Sequence, residues 1–392
     1  SITVSFTVVY GALWCYFYVM KYVDNENPMA SMRFSCTQVG PNSLVYGTED
    51  DLRKGLSSIE TYAKPERVFV ESNCSVSLVG DDVQGIADQM DLPWPVYAMD
   101  SGGMKGSFEA GYSAASLRIE KEMKTKEKIP ASVNVLGLST VHMKGREDAE
   151  EIRRLLSLCG IRVISMPGGG SSWEDIMEAP SAFLNIVVRD ELGLSLAKQM
   201  ERDFGTPYMS CGLPYGTDGT MAWLSEIIEK LGAGELTRAS HEAAKLKEFL
   251  LRKGNNLESL WGPLWFDAVL ISAPPSEALG IAEAIRSEWI DTARLCIHAQ
   301  CETEKSTPAA DAIRVVMKNE KEIAKDYEDW QGGLVLSSSH ETHLFRRMGR
   351  SFTGFHIALP SHDEVHFSDL PQCGLRGAGY LYEQLWNAKL RK

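Results

Sequence analysis

Two phosphate-cradling glycine loops are missing from this sequence. There is no G-x-x-x-x-G-K-[ST] and no G-x-G-x-x-G behind a strand, and the glycine run Pro167-Gly168-Gly169-Gly170-Ser171-Ser172 has no lysine. That run reads as a flexible strand-to-helix turn, so any ATP hydrolysis coupled to this chain belongs to another protein. Positive charge is also short, with 40 Lys and Arg against 53 Asp and Glu and a net charge of −13. This argues against nucleic acid or a membrane surface as partner. The opening Ser1–Tyr10 is apolar but short, alternates with Ser and Thr and has no positive flank, so it reads as a buried strand and not as a signal peptide or membrane span. Eight cysteines in 392 residues are too sparse for a disulfide framework and lack the C-x-x-C spacing of a zinc site, which points to a reducing cytoplasm. No histidine pair has the H-E-x-x-H form.

What is present is an ordinary globular composition, 44% hydrophobic and 24% charged, in a chain long enough for two or three domains. Strand and helix patterns alternate. Ala131–Gly137, Ile161–Met166, Phe183–Val188, Trp265–Pro274, Arg294–Ala299, Leu334–Ser339 and Gly354–Pro360 read as strands. Between them, Glu147–Cys159, Leu192–Phe204, Met221–Lys253, Ala278–Trp289 and a segment from His340 read as helices. Such alternation implies α/β architecture with doubly wound parallel sheets. The charge-rich stretch Ile119–Lys128 marks a boundary, giving domains at 1–128, 129–258 and 259–392.

Three cysteines stand beside turns or strand ends in the first domain. Cys15 closes Tyr10-Gly11-Ala12-Leu13-Trp14-Cys15, Cys36 ends Arg33-Phe34-Ser35-Cys36, and Cys74 follows the apolar run Arg67–Asn73 and precedes Gly80-Asp81-Asp82. The carboxyl ends of strands are where open α/β sheets bind ligands. Small neighbours such as Gly11, Ser75 and Ser77 allow backbone to approach a thiolate. Taken alone, their spacing reads more simply as that of buried thiols. Cys159 lies on an apolar helix face and reads as core; Cys211, Cys296, Cys301 and Cys373 have no motif. Ser101, ahead of Gly102-Gly103, reads as a turn residue. His340 and His343 read as a helix cap, and His362 and His366 as possible lining of a cleft.

These segments together resemble component 1 of nitrogenase and its relatives, which include nitrogenase-like reductases of tetrapyrroles and of methylthio-alkanes. The resemblance rests on Tyr10-Gly-x-x-x-Cys15, Leu44-Val45-Tyr46-Gly47-Thr48, Ser72-Asn73-Cys74-Ser-x-x-Leu78-Val79-Gly80-Asp81-Asp82, Leu184–Val187 with Phe204-Gly205-Thr206-Pro207-Tyr208, and Leu370-Pro371 with Gly374-Leu375-Arg376-Gly377. The family loop His-Gly-x-x-Gly-Cys is altered here, with Tyr10 for the His and Trp14 for the second Gly.

The resemblance implies three Rossmann-like domains with parallel sheets around a central cleft. It implies a beta-type subunit of a nitrogenase-like reductase complex, an oxidoreductase subunit in which Cys15 and Cys74, with Ser101 as a further candidate, hold part of an interfacial iron–sulfur centre; Cys36, where the family pattern demands no ligand, is either an additional metal ligand or an ordinary strand edge. That centre would be [8Fe-7S] P-cluster-like or [4Fe-4S] and shared with a partner subunit. The implied partners are a homologous alpha-type subunit in an α2β2 heterotetramer and an ATP-dependent homodimeric iron–sulfur reductase. Two other functions fit the same resemblance: a cofactor-assembly scaffold, and a homodimeric tetrapyrrole reductase of the nickel-sirohydrochlorin or protochlorophyllide type. In alpha-type chains a cysteine follows the strand equivalent to Leu184–Val188; Arg189 stands there, so the catalytic cofactor is expected in the partner. The family has a further cysteine ahead of the Gly-Cys loop, so part of the N-terminus is expected to be missing from this sequence.

Overall fold

The computed structural model describes residues 5–26, 30–315, 323–325, 327–328, 330 and 332–391. The chain folds as two compact units. The first takes the chain up to Lys124 together with Gly170–Met177, and the second takes Thr125–Gly169 and Glu178 onward.

The first unit is built on a four-stranded parallel sheet of β1 (Ser5–Tyr10), β2 (Phe34–Cys36), β3 (Arg67–Ser72) and β4 (Val96–Asp100), in the order β2-β1-β3-β4. Parallel strands are covered on both faces, so they need apolar residues at nearly every position. Val8, Tyr10, Val68 and Val70 meet that need at the centre of the sheet, packed with Leu52, Leu56 and Ile59. The segment Gly170–Met177 brings Trp173 into this unit, where its ring lies 5.7 Å from Tyr97 and under the Arg67 guanidinium, 4.5 Å from the ring centre.

The second unit holds two parallel sheets. One contains β5 (Ile129–Leu136), β6 (Arg162–Ser165), β7 (Ala182–Val187) and β8 (Tyr208–Ser210) in the order β6-β5-β7-β8. The other contains β9 (Trp265–Ala273), β10 (Asp291–Ala299), β11 (Ala312–Val315), β12 (Leu334–Ser337) and β13 (Thr353–His356) in the order β11-β10-β9-β12-β13. One hydrophobic core runs through both, joining Leu184 and Ile186 to Ile271 and Leu336. The helices bury their apolar stripes against it. Gly145–Leu158 buries Ala149, Ile152, Leu155 and Leu156, and Asp190–Phe204 buries Leu192, Leu196 and Met200 before Gly205 ends it at φ 64°.

Three expected elements differ in extent. The helical stretch Met221–Lys253 is two longer helices, Thr217–Leu231 and Thr237–Trp261, because Gly232 takes a left-handed cap at φ 65°. The helix expected over Ala278–Trp289 is α-helical only at Pro275–Ala284 and ends in a π turn, Ile285–Trp289. The strand expected over Gly354–Pro360 stops at His356, and the following loop folds back over it.

Each sheet reverses its strand order once, between β1 and β3, between β5 and β7, and between β9 and β12. Crevices outside the carboxyl ends of strands at such reversals are the natural ligand sites of this architecture.

Candidate metal centre

The reversal in the first sheet is where the sequence candidates converge. The chain leaves β1 through Gly11 into the helix Leu13–Glu26, which carries Cys15; Cys36 is the last residue of β2; Cys74 opens the helix Cys74–Val79 after β3; Ser101 follows β4. Strand register aligns these exits, with Val9 beside Cys36, Tyr10 beside Ser72, and Ser72 beside Asp100. All four candidates therefore sit at the same end of one sheet.

Local chemistry explains the geometry. Asn73 caps the helix that Cys74 begins, its Oδ1 accepting from the backbone N–H groups of Ser75 at 3.1 Å and Val76 at 3.3 Å. Gly80 closes that six-residue helix in a left-handed conformation at φ 83°. Asp81 then accepts from the Tyr10 hydroxyl and the Thr48 hydroxyl, so the altered residue of the Tyr10–Cys15 loop is hydrogen-bonded into the Gly80-Asp81-Asp82 turn. Burial and the hydrogen bond to Asp81 hold the Tyr10 phenol protonated, well above its ordinary range. Asp82 caps the next helix, accepting from Gly85 N–H at 3.0 Å. Gly11 has φ +153°, and a Cβ there would lie 1.9 Å from the Asn73 side chain, so no larger residue fits between the two loops.

Backbone donors point at two of the sulfurs. The Gly103 N–H donates to Cys74 Sγ at 3.2 Å, and the Gln38 N–H donates to Cys36 Sγ at 3.4 Å. Such N–H groups stabilise negative sulfur and tune a thiolate-bound centre. Burial raises the Cys36 thiol above its ordinary pKa, against the lowering pull of the Gln38 N–H. Cys15 is exposed, and Cys36 and Cys74 are partly so. Ser101 donates to the Ser72 carbonyl at 3.2 Å, leaving its oxygen free of any strong structural duty. The donor set, thiols with backbone N–H groups and glycine at the strand ends, fits an iron–sulfur cluster held from one side.

The segments flanking these thiols are apolar and uncovered. Trp14 is 70% exposed, Leu78 70%, Met104 71% and Tyr46 88%.

The other sequence candidates are dispersed. Cys159 is buried in the core, as its helical spacing indicates, and Cys373 is buried at the start of the helix Gly374–Leu390. The cap of the helix Ser339–Arg347 is supplied by Ser338 with Glu341, not by a histidine. His340, His343 and His362 line a cavity of about 640 Å³, whereas His366 turns toward His356 and Glu364, a grouping that the sequence did not signal.

Arg189 lies at the strand reversal of the second sheet and is fully buried. Its Nε and Nη2 donate to Glu277 Oε1 at 2.9 and 2.6 Å, and Nη1 donates to the Gly137 carbonyl at 3.3 Å. Asp148 stands 3.9 Å away and accepts from the N–H groups of Gln372 and Cys373 at 2.7 and 3.0 Å. Burial drives both carboxyls upward, yet Arg189 holds Glu277 down at about 2 while Asp148, farther from the cation, is pushed up to about 6.

The chain matches the nitrogenase component 1 type oxidoreductase family over residues 1–390. It belongs to this family. The nitrogenase-like family binds iron–sulfur clusters and includes oxidoreductases. Among curated relatives, the chain is 29% identical over 266 residues to the nitrogenase iron-molybdenum cofactor biosynthesis protein NifE of Clostridium pasteurianum, a match covering 66% of this chain and 56% of that protein. It is 23% identical over 373 residues to a subunit of the light-independent protochlorophyllide reductase of Chloroherpeton thalassium, covering 90% of this chain and 69% of that one. Its fold matches the solved structure of nitrogenase Cp1 at pH 6.5 with a TM-score of 0.79 at 16% identity, over 100% of this chain and 89% of the other. The three parallel sheets are thus the nitrogenase component 1 fold. Among the described residues no helix is long and apolar enough to cross a membrane.

Proposed function

We propose that this chain is a beta-type subunit of a nitrogenase-like reductase, each of its three sheets forming one Rossmann-like domain. In this reading Cys15, Cys36 and Cys74 hold one half of an iron–sulfur cluster that a homologous alpha-type subunit completes. The observation that carries the proposal is the alignment of three cysteines at the carboxyl ends of adjacent parallel strands, with backbone N–H groups directed at two of the sulfurs. A cluster bound there stores and passes single electrons. The residues of this chain supply thiolates, orient them through Asn73 and Gly103, and leave an apolar rim of Trp14, Leu78 and Met104 for the partner to cover. Cover of that kind keeps water from the cluster and sets its potential.

The catalytic cofactor lies in the partner in this reading. Arg189, at the corresponding position of this chain, stays protonated and has no lone pair for iron. The electron donor is a separate ATP-dependent iron–sulfur reductase, in keeping with the missing phosphate loops, and the complex is an α2β2 assembly of the cytoplasm. Among the branches we favour a methylthio-alkane reductase or similar nitrogenase-like reductase, because the Tyr10–Cys15 loop departs from the family form.

The similarity to NifE favours a second reading, a cofactor-assembly scaffold. Co-purification with a homologous partner, iron analysis and turnover with a reductase separate the two. Electron-relay function gives iron that stays bound during turnover; a scaffold gives a transferable cluster and no turnover. Isolation of one chain type only, carrying a tetrapyrrole, would overturn both.

A further inference from the structure

We propose that His356, Glu364 and His366 form a mononuclear site for a divalent transition metal ion of the zinc class, separate from the cysteine site and independent of its assignment. One potential ligand atom from each of the three lies within 4.8 Å of the others. Glu364 Oε2 is 4.0 Å from His356 Nδ1 and 3.9 Å from His366 Nε2. Ligand atoms around a tetrahedral ion with bonds of about 2.1 Å stand about 3.4 Å apart, so these two separations need to close by about half an ångström.

The surroundings are those of a supported ligand set. His356 is fully buried at the end of β13, and its other ring nitrogen, Nε2, faces Asp363 Oδ1 at 3.3 Å and Thr342 Oγ1 at 3.4 Å. A carboxylate behind the distal nitrogen fixes the tautomer and turns the Nδ1 lone pair toward the ion. Arg346 pairs with Asp363 at 2.5 Å and holds that carboxylate behind the His356 ring. Glu364 is itself held in place, accepting from the His356 backbone N–H at 3.0 Å.

Ser361 adjoins both rings. Its Oγ is 2.7 Å from His356 Nδ1 and 3.1 Å from His366 Nε2. A hydroxyl can bridge the two rings by donating to one and accepting from the other, and a cation in its place would take a lone pair from each. Three protein donors leave the fourth position to water or Ser361, the pattern of an open zinc site. Bound metal would pin the loop after β13 to the sheet.

Cobalt(II) is the probe, because its absorption distinguishes nitrogen and oxygen ligands from thiolates and so separates this site from the cysteines. The full chain with its natural partner, titrated with Co²⁺ after chelator treatment, should take up one ion per chain with a spectrum free of sulfur-to-cobalt charge transfer, displaced by Zn²⁺. His366→Ala and Glu364→Gln should lose that spectrum, and His362→Ala should keep it. Circular dichroism confirms folding, and if His366→Ala fails to fold, the more exposed Glu364→Gln decides. Absence of the nitrogen and oxygen spectrum in the wild-type protein, or its persistence in a folded Glu364→Gln variant, would overturn the proposal.

Discussion

Arg189 and Glu277, 88 residues apart, meet as a fully enclosed ion pair with Nη2 2.6 Å from Oε1. A buried pair of this kind contributes little over an apolar replacement, but losing one partner strands the other charge without water. Arg189→Leu should therefore cost about 3–5 kcal/mol in urea unfolding, and Arg189→Leu combined with Glu277→Leu markedly less. Equal losses for the single and double variants would show that shape, not charge, sets the requirement.

The second carboxylate near Arg189 gives a pH signature. Asp148 has a folded pKa of about 6 against an ordinary value of 3.8, so between those limits the folded state keeps a proton that the unfolded state has released. Its contribution to stability is complete below about pH 4 and is lost as pH rises through 6, by at most about 3 kcal/mol. Glu277 acts oppositely, its contribution being present above the ordinary value of 4.5 and lost as pH falls toward 2. Asp148→Asn should flatten the decline between pH 4 and 6 while leaving the acid limb from Glu277. An unchanged pH profile in that variant would refute the assignment.

Gly11 is the tightest point of the cysteine site. Gly11→Ala places a methyl against Asn73 and in a backbone region that L residues avoid, and should cost about 1–3 kcal/mol. Asn73→Ala removes the helix cap behind Cys74 and should cost about 1 kcal/mol. Because Gly11→Ala also pushes on Asn73, the double variant should fall short of the sum of the singles in thermal unfolding; strict additivity would mean that the two loops are not coupled.

The fold was legible because parallel strands covered on both faces leave apolar runs such as residues 133–136 and 184–187, each followed by a helical stripe. The cysteine candidates were legible for a related reason, since each ends a strand or follows one closely in sequence. What escaped were contacts between distant segments. The phenol of Tyr10 reaches Asp81, 71 residues on, so a residue that looked like a departure from the family loop has a hydrogen-bonding role of its own. His356 was read as part of a longer strand; its partners Glu364 and His366 lie eight and ten residues on, beyond the end of that strand, and become neighbours only because the loop folds back.

Cys74 offers the most direct test of the central claim. If it ligates a shared iron–sulfur cluster, Cys74→Ala in the complex with the homologous partner should lower the iron content and abolish or change the reduced-state EPR signal of the bridging centre. A buried structural thiol would instead cost only about 1 kcal/mol of stability and no iron. Iron content and EPR signal equal to those of the unmodified complex would contradict the account.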